Sequence, residues 1–232
     1  MKILSFDSSA KTASVAVTDG ETILSECFVN AGLTHSRTLM PMVDNALKQA
    51  DMKIEEIDAF SVNSGPGSFT GIRIGVSAVK GLALANGKPC AGISTLEAIA
   101  YNFIDEDAII CASMDARCNQ VYAALFKVKD GVITRICDDY AVPISELADK
   151  IAEFGDERII LAGDGAELFY NAVKDRLNNI ILSSEFRRYQ RAYGTALAAI
   201  RNNNFEDSSL LAPVYLRMPQ AERELKLKKE NK

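Results

Sequence analysis

The chain contains 232 residues, of which 48% are hydrophobic, 25% are charged and 7% are aromatic, and it has no Trp. This length and composition predict a globular chain of one large domain or two moderate ones, and they exclude both a disulfide-stabilised miniprotein and a wholly disordered chain. The formal net charge of -5 excludes a free-standing, strongly basic nucleic-acid binder, so we expect any contact with nucleic acid to be local or shared.

Hydrophobic periodicity predicts the order βββαβα for the first half of the chain. A hairpin turn at Asp19-Gly20 separates the second strand from the third. The first helix shows apolar residues at helical spacing, with Leu39, Val43 and Leu47 on one face. In chain order, we predict strands at 2–7, 13–18 and 22–29, a helix at 36–50, a strand at 59–62 and a helix at 71–85.

The second half repeats this order after a linking strand at 89–93 and a short helix at 96–101. Asp7 and Asp115 close the first strand of each half, and both halves contain an Asp-Gly hairpin turn. In chain order, we predict strands at 108–114, 121–128 and 132–137, a helix at 144–154, a strand at 158–161 and a helix at 167–177.

Two βββαβα halves that face each other across a cleft resemble the actin, hexokinase and Hsp70 ATPase fold, which is ribonuclease H-like. The resemblance implies an α/β chain with duplicated lobes, an N-terminal lobe at 1–103 and a C-terminal lobe at 104–217. A last helix, over about 189–202, is expected to cross back from the second lobe. Residues 218–232 are predicted to form a charged, solvated and flexible tail.

The most unusual segment, residues 63–75, joins a predicted strand to a predicted helix and reads NSGPGSFTGIRIG. Its glycines, hydroxyl groups and helix N-terminus are features of a phosphate-binding loop. They also fit a tight strand-to-helix turn with Thr70 as the N-cap. The segment lacks the Gly-Lys-Ser/Thr of a Walker loop and the Gly-x-Ser-x-Gly of a hydrolase, and His35 is the only histidine available to a catalytic triad. We therefore favour the structural interpretation over hydrolysis.

The strand-end carboxylates Asp7 and Asp115 are candidates to hold Mg²⁺ or water beside a nucleotide. They are also residues that commonly cap turns. A nucleotide-binding hairpin needs glycine beside the acid, whereas serines follow the first carboxylate and Met114 and Arg117 flank the second. We therefore expect side chains to fill the space of a triphosphate, although Arg117 is in principle able to meet an anion itself.

The single histidine and the cysteines do not form a metal site by their spacing. His35 is expected to cap the first helix or lie at the surface, because no second histidine exists to share an ion. The five cysteines form no C-x-x-C pair, which predicts reduced core thiols. The sequence also shows no signal peptide and no apolar run long enough to span a membrane. We predict no catalytic, cofactor-binding or metal-binding residue and a cytoplasmic location, while a site built on carboxylates alone stays open.

Two predicted helices carry mixed polar and apolar stripes outside their core faces. These stripes fit an interface with helices of another protein, and they equally fit helices covered by the chain's own second layer. One stripe is formed by Arg73, Ser77, Lys80 and Leu84, and the other by Thr38, Met42, Asn45 and Gln49.

Three segments resemble the TsaB (YeaZ) family: the run at 65–75, Phe6-Asp7-Ser8-Ser9, and Pro213-Val214-Tyr215-Leu216-Arg217. The resemblance covers about residues 1–217 and implies the actin-like fold. It also implies a subunit of the machinery that makes threonylcarbamoyladenosine in tRNAs reading codons that begin with A. In that machinery, a related TsaD-type subunit transfers the threonylcarbamoyl group from its adenylate to adenine N6, and a TsaE-type subunit is an ATPase partner.

This chain departs from the catalytic TsaD-type relatives, which carry a metal-binding His-Leu-Glu-Gly-His segment. The similar stretch here is Thr95-Leu96-Glu97-Ala98-Ile99, so both histidines are replaced. The Ser-Gly-Gly-His of their second phosphate hairpin has the counterpart Ser113-Met114-Asp115-Ala116. These departures predict a non-catalytic scaffold or activator subunit. The alternative is an ATP-dependent phosphotransferase of the same fold, and a peptidase is the least favoured.

The family's heterodimer forms through the first two helices of the N-terminal lobe, which implies that both stripes lie in an interface with a TsaD-type subunit. We further expect a homodimer through this surface when the partner is absent, a TsaE-type ATPase in a larger complex, and only indirect contact with tRNA. The implied interface residues are Thr38, Met42, Asn45, Arg73, Ser77, Lys80 and Leu84.

Overall fold

Each half of the chain forms its own mixed β-sheet flanked by helices, in a computed structural model that describes residues 1–217. The predicted fold class, duplicated α/β lobes of the actin/hexokinase/Hsp70 ATPase-like type, is confirmed by this arrangement. The tail predicted at 218–232 lies outside the described residues. Within residues 1–217, no helix is both long and apolar enough to cross a membrane.

The first sheet combines an antiparallel meander with two parallel strands. Its strands are β1 (Lys2–Asp7), β2 (Ala13–Asp19), β3 (Thr22–Val29), β4 (Ala59–Gly65) and β5 (Cys90–Ser94). Their order is β3-β2-β1-β4-β5, so β1 lies at the centre and is buried on both faces, as its apolar run predicts. The register sets Phe6 opposite Val15 on one side and Val62 on the other.

Two long helices, α1 (His35–Gln49) and α2 (Phe69–Asn86), cover one face of the first sheet. The buried side chains of the core between them include Leu39, Val43 and Ile72. The sheet is followed by α3 (Thr95–Ala100), which leads into the second lobe.

The second lobe repeats the topology of the first. Its strands are β6 (Ala108–Asp115), β7 (Gln120–Lys129), β8 (Val132–Arg135), β9 (Tyr140–Pro143), β10 (Ile159–Ala162) and β11 (Ile180–Leu182). The order is β11-β10-β6-β7-β8, with β9 paired to β7. Its helices are α4 (Ile144–Ala152), α5 (Ala166–Val173) and α6 (Glu185–Arg188).

Three features differ from the sequence-based prediction for this half. The strand predicted at 132–137 ends at Arg135 as β8, which pairs with the end of β7, and the prediction missed β9, which pairs with the beginning of β7. The prediction missed β11 and α6, because three and four residues are too few to show a periodic pattern. The last helix, α7 (Ala192–Asn202), begins later than predicted because the backbone is still extended at Tyr189 and Arg191.

Helix α7 lies against the first sheet and against α3. The backbone N–H of Ala192 donates a hydrogen bond to Ser14 Oγ at 2.7 Å. The Arg191 guanidinium forms an ion pair with Glu26, whose side chain is 6% exposed. The end of the second half is therefore fixed to the first lobe by a hydrogen bond from the first residue of α7 and by a charge pair.

After α7, residues 206–217 form a strap that returns to the first lobe. Leu211 of the strap enters the core of that lobe and is 2% exposed. The backbone N–H of Val214 donates to the carbonyl of Ser64 at 2.8 Å, at the end of β4. The strap therefore lies beside α2 and ends at the junction between the lobes.

Candidate functional site

A cavity of about 510 Å³ opens between the lobes, where β1 and β6 end. It is lined by the turns that follow these two strands, by the start of α2 and by the end of the strap. At its edge, Arg217 Nη1 of the strap donates to the carbonyl of Ala116 in the second lobe at 2.6 Å. The cavity is of the size that small-molecule sites usually have. The cleft as a whole is therefore open, whereas the expectation that side chains fill the space of a triphosphate concerned the surroundings of Asp7 and Asp115.

The turn that follows β1, by contrast, is closed by the chain itself. The backbone N–H of Ser68 donates to the carbonyl of Ser9 at 2.6 Å. A Cβ at Gly71 would overlap with the carbonyl oxygen of Ser8, so only glycine allows α2 to approach this closely. The start of α2 thus occupies the place beside the turn, which agrees with the structural interpretation of the glycine-rich segment.

The N-cap of α2 is Ser68, and the prediction that Thr70 caps this helix is wrong. Ser68 Oγ accepts a hydrogen bond from the Gly71 backbone N–H at 3.3 Å. The helix begins at Phe69, two residues earlier than predicted, so Thr70 already lies in the first turn. The apolar pattern could not show this, because the first turn faces the cleft.

In the second lobe, as in the first, a glycine packs closely against the end of the first strand. A Cβ at Gly163 would overlap with the carbonyl oxygen of Ser113 at the end of β6. The backbone N–H of Gly165 donates to the same oxygen at 3.1 Å. In each lobe, a glycine loop therefore packs onto the end of the first strand, which is the feature expected of a duplicated unit.

Asp7 belongs to a buried hydrogen-bond network. Its Oδ1 accepts from Ser9 Oγ at 2.6 Å and from Asn63 Nδ2 at 2.8 Å. Asn63 Oδ1 in turn accepts from Thr195 Oγ1 of α7 at 3.0 Å. Burial raises the pKa of Asp7, and the hydrogen bonds from Ser9 and Asn63 oppose the rise. Through these hydrogen bonds, Asp7 connects β1 with β4 and α7. Its side chain is fully buried and does not line the cleft, whose lining begins at Ser9.

The carboxylates that do line the cleft are Asp115 and Asp164. Asp115 Oδ1 accepts from the backbone N–H of Arg117 at 2.7 Å, so this strand-end carboxylate caps its turn. Burial raises the pKa of Asp164 to about 6; the hydrogen bond from the Asp115 backbone opposes the rise, and the charge of Asp115 adds to it. Among residues 1–217, no three His, Cys, Asp or Glu side chains are grouped closely enough to hold a metal ion. His35 Nε2 is bonded to the carbonyl of Ala10 at 2.7 Å, at the start of α1.

The predicted interface residues lie on α1 and α2, and one of them is misassigned. Met42 is 7% exposed and packs in the core of the first lobe, so its prediction as an interface side chain is wrong. The apolar face of α1 is wider than Leu39 and Val43 alone indicate, and Met42 lies on its flank. Leu84 is 76% exposed and Met40, which the prediction omitted, is 40% exposed.

Two other predicted interface residues hold the strap. The Arg73 guanidinium lies over the Phe69 ring at 3.8 Å, and its Nε donates to the Tyr215 hydroxyl at 2.8 Å. Lys80 Nζ donates to the carbonyl of Leu211 at 3.0 Å. The strap therefore covers one side of α2, a contact between residues more than 100 positions apart that no local pattern could reveal. Ser77, between these two positions on the helix, is exposed, as is Asn45 of α1, whereas Thr38 is half-buried.

Comparison with known proteins identifies the family. A family model described as "TsaD: tRNA N6-adenosine threonylcarbamoyltransferase" matches residues 29–225. The tRNA threonylcarbamoyladenosine biosynthesis protein TsaB of Buchnera aphidicola subsp. Schizaphis graminum is 30% identical over 169 residues, which are 70% of this chain and 78% of the relative. The chain belongs to the TsaB family, within the wider family that this model describes.

Two further similarities agree with membership of the TsaB family. TsaB of Bacillus subtilis strain 168 is 29% identical over 222 residues, which cover 96% of each chain. The solved structure "YeaZ from Pseudomonas aeruginosa" superposes with a TM-score of 0.79 at 24% identity, over 93% of this chain and 99% of that one. The second similarity shows the shared fold.

In this member of the TsaB family, the stretch that resembles the metal-binding segment of TsaD-type relatives lies in α3. Thr95 and Ile99, which stand where that segment has histidines, are both fully buried. Ile99 packs in an apolar cluster with Phe103 and Ile110. The two positions therefore belong to the core that joins α3 to the second sheet.

Proposed function

We propose that this chain is a non-catalytic, cytoplasmic subunit of the complex that forms N6-threonylcarbamoyladenosine in tRNA, and that it activates the TsaD-type catalytic subunit by binding to it. Membership of the TsaB family supports the pathway. The observation that carries the binding role is the outer surface of α1 and α2, where Leu84 is 76% exposed and Met40 is 40% exposed. Large apolar side chains exposed on neighbouring helices are typical of protein–protein contacts.

The absence of a catalytic role is supported by two features of the lobes. The Thr95 and Ile99 positions carry no metal ligand and are closed inside the core. The Asp7 carboxylate, which lies at the end of the central strand, is held by Ser9 and Asn63 inside the protein. A reacting carboxylate would need to be presented to the cleft.

The proposed interface consists of the exposed α1–α2 surface and the strap beside it. Arg73 and Lys80 contribute by holding the strap against α2, and Met40 replaces the buried Met42. We propose that the same surface forms a homodimer when the partner is absent, and that a TsaE-type ATPase joins the larger complex. The residues that keep their proposed place in the interface are Thr38, Asn45, Arg73, Ser77, Lys80 and Leu84, and Met40 is added to them.

Replacing Leu84 by Glu tests this interface. The side chain is largely exposed, so the variant is expected to fold normally, while a carboxylate buried in an apolar contact should weaken partner binding at least tenfold, equivalent to about 1.4 kcal/mol. Leu168→Glu is the matched control, because Leu168 is exposed on α5 of the other lobe. Co-purification with a tagged TsaD-type subunit should fail for Leu84→Glu and succeed for Leu168→Glu. An intact complex with Leu84→Glu would refute the interface.

The open cleft favours one alternative, an ATP-dependent phosphotransferase of the same fold. A cavity of about 510 Å³ is large enough for a nucleotide, although the turn after β1 is closed by Ser68 and Gly71. Calorimetry with Mg-ATP separates the two functions. Tight binding with turnover by the isolated chain would favour the phosphotransferase, whereas a scaffold subunit is expected to show no turnover by itself.

A further inference from the structure

The cleft collects positive side chains that the rest of the chain does not neutralise. Of the eleven arginines within residues 1–217, seven form ion pairs with carboxylates. Those seven are Arg135, Arg158, Arg176, Arg187, Arg188, Arg191 and Arg201. The four without an ion pair among the described residues are Arg37 on α1, Arg73 on α2, and Arg117 and Arg217, of which the last two line the cleft. Lys11 of the first lobe also lines the cleft, and it too has no carboxylate within ion-pair distance among the described residues.

These three cations come from three separate segments and are held at the rim in different ways. Lys11 lies in the turn after β1 and is exposed. Arg117 opens a run of three left-handed residues with φ values of 64°, 54° and 57°, a backbone conformation that costs energy for residues other than glycine. The guanidinium of Arg217 makes its hydrogen bond to a carbonyl oxygen, not to a carboxylate. Together they place positive charge on both lobes and on the strap.

Two further features belong to the same opening. The first turn of α2, with Phe69 and Thr70, lines the cleft, so the positive end of an 18-residue helix faces it. The rings of Phe69 and Tyr215 are stacked with their centroids 4.5 Å apart, and Tyr215 is 39% exposed. The opposing charges are the carboxylates of Asp115 and Asp164, which are fewer than the three cations. Positive groups combined with an exposed aromatic ring are typical of surfaces that bind single-stranded nucleic acid.

We propose that the mouth of the interlobe cleft binds the phosphodiester backbone of an RNA strand through Lys11, Arg117 and Arg217, with Tyr215 as a stacking surface for a base. The inference rests on the proposed function, because the RNA that this complex handles is tRNA. It replaces the sequence-based expectation that this chain contacts tRNA only indirectly, through the TsaD-type subunit. An extended backbone fits better than a triphosphate, because the cations come from both lobes and from the strap while the turn after β1 is closed by Ser68.

The test uses the full chain and two double variants of equal charge change. Lys11→Gln/Arg117→Gln removes two of the cleft cations, and Lys129→Gln/Lys174→Gln removes two exposed lysines outside the cleft lining. The probe is a fluorescein-labelled, unmodified transcript of a tRNA that reads a codon beginning with A. Fluorescence anisotropy over a series of KCl concentrations gives the affinity and its salt dependence. Circular dichroism and Tm check that both variants fold as the wild type does.

The cleft variant is expected to bind the transcript roughly tenfold more weakly, and the slope of log K against log [KCl] should fall by about 2, because each phosphate contact contributes about 1 to the slope. The control variant should keep the wild-type affinity and slope. Equal binding by the wild type and the cleft variant would overturn the inference, as would an equal loss in the control. Displacement of the transcript by stoichiometric ATP would also overturn it, by assigning the cleft to a free nucleotide.

Partner binding distinguishes this inference from the proposed function. The cleft variant is expected to co-purify with the TsaD-type subunit as the wild type does, because the exposed α1–α2 surface is unchanged. Intact partner binding with unaltered RNA binding would refute the cleft inference alone. Failure of the wild type to bind the TsaD-type subunit would refute the proposed function, whatever the RNA measurement shows.

Discussion

The stability of the variant Asp164→Asn relative to the wild type is expected to increase as the pH rises. Burial raises the pKa of Asp164 from 3.8 to about 6, although the hydrogen bond from the Asp115 backbone opposes the rise. A carboxyl group with a higher pKa in the folded state than in the unfolded chain binds its proton more tightly when the chain is folded. The contribution of the protonated Asp164 side chain to the stability of the folded protein is therefore complete below about pH 4, and it is lost as the pH rises through about 6.

The size of the effect follows from a pKa difference of about 2 units. At about 1.36 kcal/mol per unit, the ionised Asp164 costs about 3 kcal/mol of folding free energy near pH 8, and roughly half of this loss arises between about pH 5 and pH 8. Asn does not ionise. The stability of Asp164→Asn relative to the wild type should therefore increase by about 1–2 kcal/mol over that range, whatever the fixed cost of exchanging the side chains.

Urea unfolding followed by circular dichroism at several pH values measures this difference. Asp156→Asn is the matched control, since Asp156 is exposed and its replacement should give a difference that hardly changes with pH. A difference for Asp164→Asn that stays constant, or one that falls as the pH rises, would refute the assignment of Asp164 as a carboxyl group destabilised by burial.

Two further substitutions test the packing that shapes the site. Gly71→Ala is expected to destabilise the protein by about 2 kcal/mol or more, because the added methyl group would overlap with the Ser8 carbonyl oxygen. Gly81→Ala on the same helix has open space around it and should stabilise the protein by about 0.5–1 kcal/mol. Thermal unfolding compares the two variants, and equal effects would contradict the close approach of α2 to the turn after β1. Leu211→Ala should lower the free energy of unfolding by about 2–5 kcal/mol, because this side chain anchors the strap in the core. Leu210→Ala, at the exposed neighbouring position, should change it by no more than about 0.5 kcal/mol. If urea unfolding finds both changes neutral, the strap is not anchored in this way.

The sequence predicted those parts of the fold that depend on local patterns. The apolar spacing of Leu39, Val43 and Leu47 correctly identified the buried face of α1, and the Asp-Gly turns correctly placed the hairpins. The duplicated order of elements followed from these features. It could be recognised because each lobe buries its own sheet with the same succession of strands and helices.

The parts that the sequence could not predict depend on contacts between distant segments. The strap lies beside α2 because Arg73 meets Tyr215 and Lys80 meets the carbonyl of Leu211, pairs that no periodicity relates. Met42 was misassigned for a related reason, since the width of a buried helix face depends on what packs beside it. The cations of the cleft also come from three segments, so only Arg117 was considered as an anion-binding residue in the sequence.

The most direct test of the central claim is reconstitution of threonylcarbamoyl transfer to tRNA by a purified TsaD-type subunit. The reaction is measured without this chain, with the wild type, and with Leu84→Glu or Leu168→Glu, and the chain is also assayed alone. We predict product only when the wild type or Leu168→Glu accompanies the TsaD-type subunit, and none from the chain by itself. Unchanged product in the absence of this chain, or product from the chain alone, would contradict its role as a required, non-catalytic partner.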